Sequence, residues 1–167
     1  MESGFSYHDL GRIAYADALT RQTAAFDALL QAKAAGVQGE NQLFFCEHDP
    51  VLTIGKSGKE TNLLIPEASL RERGVSFYHI NRGGDITYHG PGQITGYPVF
   101  DLAYWSLGLR PYIKLLEEVV IRFLALYGLR GERLAGATGV WLDPFVPGRA
   151  RKICAIGVKS SRFVTMH

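Results

Sequence analysis

Apolar positions along this chain follow two spacings, and the changes between them mark its elements. From Leu19 to Ala35, Ala and Gln dominate, and Phe26, Leu29 and Leu30 fall on one side. This predicts a helix closed by Gly36. A second helix is predicted over Pro111–Tyr127, where Tyr112, Leu115, Leu116, Val119, Val120, Phe123, Leu124 and Tyr127 keep helical spacing and Gly128 follows. A short third helix opens at Pro66, runs through Arg73 and meets Gly74. Short runs rich in β-formers predict strands at Leu43–Cys46, Val51–Ile54, Val75–Ile80, Ile94–Leu102, Thr138–Leu142 and Lys152–Val158. Pro98 assigns the fourth of these to a sheet edge or a bulge. Glu47–Pro50 reads as a turn, and Asp143–Arg151, with two prolines and a glycine, as an exposed loop. The pattern is mixed α/β, without internal repeat or linker, and is read as one domain over residues 1–167.

Composition narrows the class. Of 167 residues, 47% are hydrophobic and 20% charged, which suits a globular domain with a buried core. A net charge of +2 argues against bulk electrostatic binding to nucleic acid. No apolar run is long enough to span a bilayer, so no membrane role is expected. Cys46 and Cys154 form no disulfide framework, and a reducing, cytoplasmic setting is expected. No histidine pairs with another or with a cysteine at metal-ligand spacing, so no metal and no cofactor are expected.

Candidate chemistry gathers in the run Arg82-Gly83-Gly84-Asp85-Ile86-Thr87-Tyr88-His89-Gly90-Pro91-Gly92-Gln93. Four glycines let the backbone approach a ligand and turn several N–H groups toward one acceptor. Arg82, Thr87, Tyr88, His89 and Gln93 add polar side chains. This suits a site for a carbonyl or other small polar group, but a solvated glycine-rich hairpin fits the composition equally well. The run is neither a phosphate loop nor a dinucleotide fingerprint. In a second run, Arg151 to Lys159, strand alternation would place Lys152 and Cys154 on one face. A neighbouring ammonium lowers a thiol's pKa. The alternative is that Cys154 is a small buried apolar residue and Lys152 a solvated strand end. Cys46, in an aromatic strand, reads as core. His48, His89 and His167 each sit in a turn or at a strand end; His8 and His79 have no motif around them.

The Arg82–Gln93 run closely resembles the octanoyltransferase (lipoate–protein ligase B) signature R-G-G-x-x-T-Y-H-G-P-G-Q. Three further segments agree in order. Glu47-His48-Asp49-Pro50-Val51-Leu52-Thr53-Ile54-Gly55 resembles the family's E-H-x-P-V-x-T-x-G. Gly139-Val140-Trp141 resembles its G-V-W/Y strand. Arg151 to Gly157 resembles its K-I-A-A-I-G segment, with Thr165-Met166-His167 beginning its T-x-H-G.

The resemblance implies the biotin/lipoate protein ligase-like fold, a mixed sheet flanked by helices. It implies transfer of an octanoyl (or lipoyl) group from octanoyl-acyl carrier protein to a lysine of lipoyl domains, in protein lipoylation. The implied acceptors are the lipoyl domains of 2-oxoacid dehydrogenases and the glycine cleavage H protein. In the family a cysteine forms a thioester with the acyl group, and the acceptor amine then attacks it. Carried over residue by residue, Lys152 matches the lysine that lowers that cysteine's pKa. Arg82, Gly83, Gly84, Asp85, Ile86, Thr87, Tyr88 and His89 match the acyl-binding loop. Ala155, Ile156 and Gly157 match a second binding segment, and His48 and His167 are expected to line the cleft. The family's cysteine lies in a P-C-G segment beyond T-x-H-G, so the chain is expected to lack the domain's C-terminal portion. A catalytically inactive acyl- or partner-binding module is the competing expectation. An ATP-using lipoate or biotin ligase would share the fold but need an adenylate-binding loop, which the sequence does not show. Arg149, Arg151, Lys152, Lys159 and Arg162 could form a basic patch for an acidic carrier or simply a solvated face.

Overall fold

In the computed structural model, which describes residues 4–167, the chain divides into two compact units. One comprises residues up to Asp101 together with Gly157–His167; the other is Leu102–Ile156.

The first unit is built on α1 (Tyr15–Ala34) and two three-stranded sheets. In the first sheet, β1 (Ser6–Arg12) lies parallel to β2 (Gln42–Glu47), and β2 is antiparallel to β6 (Thr95–Val99). Pro98 therefore sits in an edge strand of this three-stranded sheet, where a missing N–H is tolerated. Beyond it, Thr165 N–H donates to the Phe100 carbonyl at 2.8 Å, tying β11 (Val164–Met166) to the end of β6. Ala18, Ala25, Phe26 and Leu29 of α1 pack on Phe44, Cys46, Tyr97 and Val99, with Val164 and Met166 in the same cluster. Their 3–4-residue spacing on the helix meets the two-residue alternation of the strands. Each large side chain buried here contributes roughly 1.5–3 kcal/mol. Gly36, with φ of 69°, ends α1 as expected.

The second sheet has the order β4-β3-β5. Strand β3 (Val51–Ile54) runs parallel to β4 (Ser76–His79) and antiparallel to β5 (Ile86–His89), while α2 (Glu67–Glu72) precedes β4. Strand β10 (Lys159–Ser161) forms a hairpin with β11. The second unit consists of α3 (Leu109–Ala125) and the antiparallel sheet β7-β8-β9, over Glu132–Leu134, Ala137–Leu142 and Arg151–Cys154.

Several expectations need correction. Helix α1 starts one turn before Leu19, because Tyr15 is anchored by aromatic contacts to Tyr78 and His48 that local spacing cannot register. Strands β1, β7, β10 and β11 were not foreseen; they are short or polar, and pairing rather than periodicity holds them. The Arg82–Gln93 run is not all turn, since Ile86–His89 pairs residue for residue with Val51–Ile54 as β5. The strand expected over Lys152–Val158 ends at Cys154. Its ladder with β8 shifts register between Val140 and Trp141, beside Gly139 at φ of 120°. A side chain on Gly139 would collide with the Cys154 carbonyl oxygen, so the close approach requires glycine.

Candidate functional site

In the first unit, the residues singled out by motif form a polar knot under the end of β3. Arg82 is 7% exposed, yet among the described residues its guanidinium faces no carboxylate at ion-pair distance. It donates instead to the Thr53 carbonyl (2.8 Å), the Thr53 hydroxyl (2.9 Å), and the Gly83 (2.9 Å) and Asp85 (2.8 Å) carbonyls. Burial pulls its pKa down, while Tyr15, Asp85 and Tyr97 pull it up. The loop's amide partners complete the knot. Gly55, Lys56 and Ser57 donate to the carbonyls of Asp85, Arg82 and Gly84, and Gly83 N–H reaches the Val158 carbonyl at 3.3 Å. Gly157 sits so close that a Cβ there would lie 2.7 Å from the Gly83 oxygen. Arg82 is thus the staple that shapes Gly83–Asp85. Ile86, Thr87 and Tyr88 belong to the adjoining strand, with Tyr88 half-exposed.

Beside this knot lies a cluster of rings. His48 is fully buried. Its Nδ1 lies 2.8 Å from the Ile13 carbonyl, which can only accept, so Nδ1 carries the hydrogen. In the neutral ring, Nε2 then accepts from the Tyr97 hydroxyl at 2.7 Å, with Cys46 Sγ 3.4 Å away. Burial drives the Tyr97 phenol far above its usual range, pushes Tyr15 up to about 12 and pushes the Cys46 thiol up to about 11. These groups are therefore protonated near neutrality. The His89 ring stacks on Tyr15 at 6.3 Å and meets His48 edge-on at 5.9 Å. Burial lowers its pKa, opposed by its hydrogen bond to Gln93 and reinforced by His48 and Arg82. His167 is pushed down to about 4 by burial, then by Lys159 and Arg82. His48, Arg82 and His89 thus share one neighbourhood, lined by aromatic faces.

In the second unit, Lys152 is exposed, and its ammonium lies over the Trp141 ring at 4.7 Å. Burial raises the Cys154 thiol's pKa, Glu117 adds to this, and Lys152 opposes it. Lys152 therefore does not make Cys154 a ready thiolate. Ala155 and Ile156 follow the end of β9 in irregular backbone. Glu117 of α3 braces the sheet, accepting from Gly139 N–H and from Arg133 Nε, each at 3.0 Å. Of the five basic residues, Arg151 is tied to Asp143 at 2.7 Å, and Lys159 lies over Phe26 at 4.7 Å. Among the described residues no group of three or more His, Cys, Asp or Glu is placed to hold a metal ion. No helix among them is long and apolar enough to cross a membrane.

Sequence reasoning missed Tyr15, Thr53 and Tyr97 as parts of the site. Thr53 lies inside a quoted segment and could have been found there. Tyr15 and Tyr97 carry no motif and are brought in by α1 and β6.

The profile of the lipoyl protein ligase A/B catalytic domain matches residues 7–167. The chain belongs to this family, and by family it is an acyltransferase. It is 82% identical over 167 residues to the octanoyltransferase of Parabacteroides distasonis, covering all of this chain and 75% of that protein. It is 58% identical over 165 residues to the octanoyltransferase of Porphyromonas gingivalis, covering 99% of this chain but 34% of that protein. Among solved structures, the bipartite lipoate protein ligase of Thermoplasma acidophilum aligns with a TM-score of 0.66 at 18% identity, over 97% of this chain and 58% of that one. A lipoate-protein ligase A bound with ATP aligns at 0.62 and 16%, over 97% and 64%. At such identities the structural likeness establishes the fold, as expected, and leaves the reaction to the site.

Proposed function

We propose that this chain carries the acyl site of an octanoyltransferase, which moves an octanoyl (or lipoyl) group from acyl carrier protein to a lysine of lipoyl domains in the cytoplasm. The observation that carries the reading is 82% identity, along the whole chain, to an octanoyltransferase. The site's chemistry agrees with it. Buried aromatic faces suit an alkyl chain, and Arg82 holds the glycine-rich loop in one shape beside them. A cysteine thioester divides the transfer into two steps: thiolate attack releases the carrier thiol, and attack by the lysine amine returns the cysteine. Neither cysteine here is suited to that step, because Cys46 is buried with its thiol pushed up to about 11 and Cys154 is raised by burial. The nucleophile is therefore assigned outside these residues, with Lys152 as the cation that lowers its pKa. Lipoyl domains, including the H protein of glycine cleavage, are the acceptors of this reading.

The test joins these 167 residues to the remaining quarter of the Parabacteroides distasonis relative. Octanoyl-carrier protein and an apo-lipoyl domain are added, and the domain is weighed. The expected result is an octanoyl mass on the domain's lysine, abolished by Lys152→Ala. No transfer, or transfer indifferent to Lys152, would sink the proposal. An adduct on Cys154 of the chain alone would instead make that cysteine the nucleophile.

A further inference from the structure

Gln93 lies just past the turn after β5, outside the residues assigned to acyl binding. Its exposed side chain makes a hydrogen bond at each end of the amide. Its Nε2 donates to the Tyr88 carbonyl at 3.3 Å, and its Oε1 lies 2.7 Å from His89 Nδ1. The first contact decides the second. A carbonyl needs a donor, so the amide nitrogen faces Tyr88 and the oxygen faces the imidazole. An amide oxygen only accepts, so His89 Nδ1 carries the hydrogen. The ring cannot easily turn away, because Tyr15 lies parallel to it at 6.3 Å and His48 abuts it at 5.9 Å. His48 is itself held by Ile13 and Tyr97.

We infer that Gln93 is a positioning residue that locks His89 as its Nδ1–H tautomer, leaving Nε2 as a bare acceptor for an N–H of the substrate. The orientation of a histidine's free nitrogen is set by the bond its other nitrogen makes. This inference rests on the acyl-transfer reading for the identity of that substrate. Of the two reactants, a thioester has no hydrogen to donate at its reacting carbon, whereas the lysine amine does. Nε2 is thus matched to the acceptor amine, and Gln93 serves the second half of the reaction. Without the amide, both tautomers become accessible, and the Nε2–H form would present a hydrogen where the amine needs a lone pair.

Two measurements test this. In the first, the 15N-labelled chain is studied by long-range 1H–15N correlation where its imidazoles are neutral. The expected result is a protonated Nδ1 and bare Nε2 for His89, a shift toward Nε2–H in Gln93→Ala, and a return to Nδ1–H in Gln93→Glu, which keeps the accepting oxygen. An Nε2–H signal for His89 in the unaltered chain overturns the inference before any variant is needed; so does a tautomer unmoved by Gln93→Ala. The second measurement uses the joined protein in the transfer assay. Gln93→Ala is expected to raise KM for the lipoyl domain several-fold while leaving KM for the acyl donor unchanged, and Gln93→Glu to restore it. A rise in donor KM alone would refute the assignment to the amine. If the unaltered joined protein transfers nothing, the functional reading falls and the amine assignment with it, while the spectrum still decides the tautomer lock.

Discussion

Replacing Arg82 with Met keeps much of the side chain's length and removes its five N–H donors. Four acceptors lose a partner: the Thr53 hydroxyl and the Thr53, Gly83 and Asp85 carbonyls. The two on Thr53 are buried, and water reaches the two on the loop more readily. Leaving a buried acceptor unmet costs roughly 1–3 kcal/mol. Two of them set a gross loss of about 2–6 kcal/mol. Against this stands relief from burying an uncompensated guanidinium, the burial that lowers its pKa. The net loss is expected near 2–3 kcal/mol, or roughly 30- to 150-fold in an opening equilibrium. Hydrogen exchange at Gly55, Lys56 and Ser57 reads this directly, because their amides donate to the carbonyls of Asp85, Arg82 and Gly84. Their exchange should accelerate by that factor. Urea unfolding followed by circular dichroism should show the same loss. Arg82→Lys should recover only part, since one ammonium cannot reach acceptors arranged for a planar fork. If Arg82→Met protects these three amides as well as the unaltered chain does, the staple is not what shapes the loop.

Three further outcomes are expected. Gly139→Ala, at φ of 120° and against the Cys154 carbonyl, should destabilise the β8–β9 pairing by about 2 kcal/mol or more; an unchanged urea midpoint would show that the bulge relaxes freely. Tyr97→Phe removes the hydroxyl donated to buried His48 Nε2 and should cost roughly 1–3 kcal/mol, measured by thermal unfolding, with no loss if Cys46 takes over as donor. His167, pushed down from 6.5 to about 4, stays neutral when folded while the unfolded chain takes up a proton. Its contribution is therefore complete above pH 6.5 and is lost as pH falls through 4, by roughly 3 kcal/mol. His167→Gln should flatten the stability profile across that window, and a profile of unchanged slope would count against the burial of this ring.

Local sequence determined the elements whose partners are their own neighbours. The spacing around Phe26 and Leu29, the stops at Gly36, Gly74 and Gly128, and the β-branched run at Val51–Ile54 could all be read without a fold, because propensity and periodicity act over one or two turns. The four ordered motifs likewise marked the family, and with it the loop, Lys152 and the three histidines. Tertiary structure decided what these groups do. Arg82 looked like a side chain for a ligand and is instead spent on backbone carbonyls, a role that exists only once β3 lies beside the loop. Strand alternation alone would put Lys152 and Cys154 on one face, with activation or a plain buried thiol both open, but a register shift between Val140 and Trp141 interrupts the ladder and burial raises the thiol. Tyr15 and Tyr97 had no signal at all; they join His48 and His89 because α1 and β6 pack there, and burial, which no local window can see, then sets their protonation.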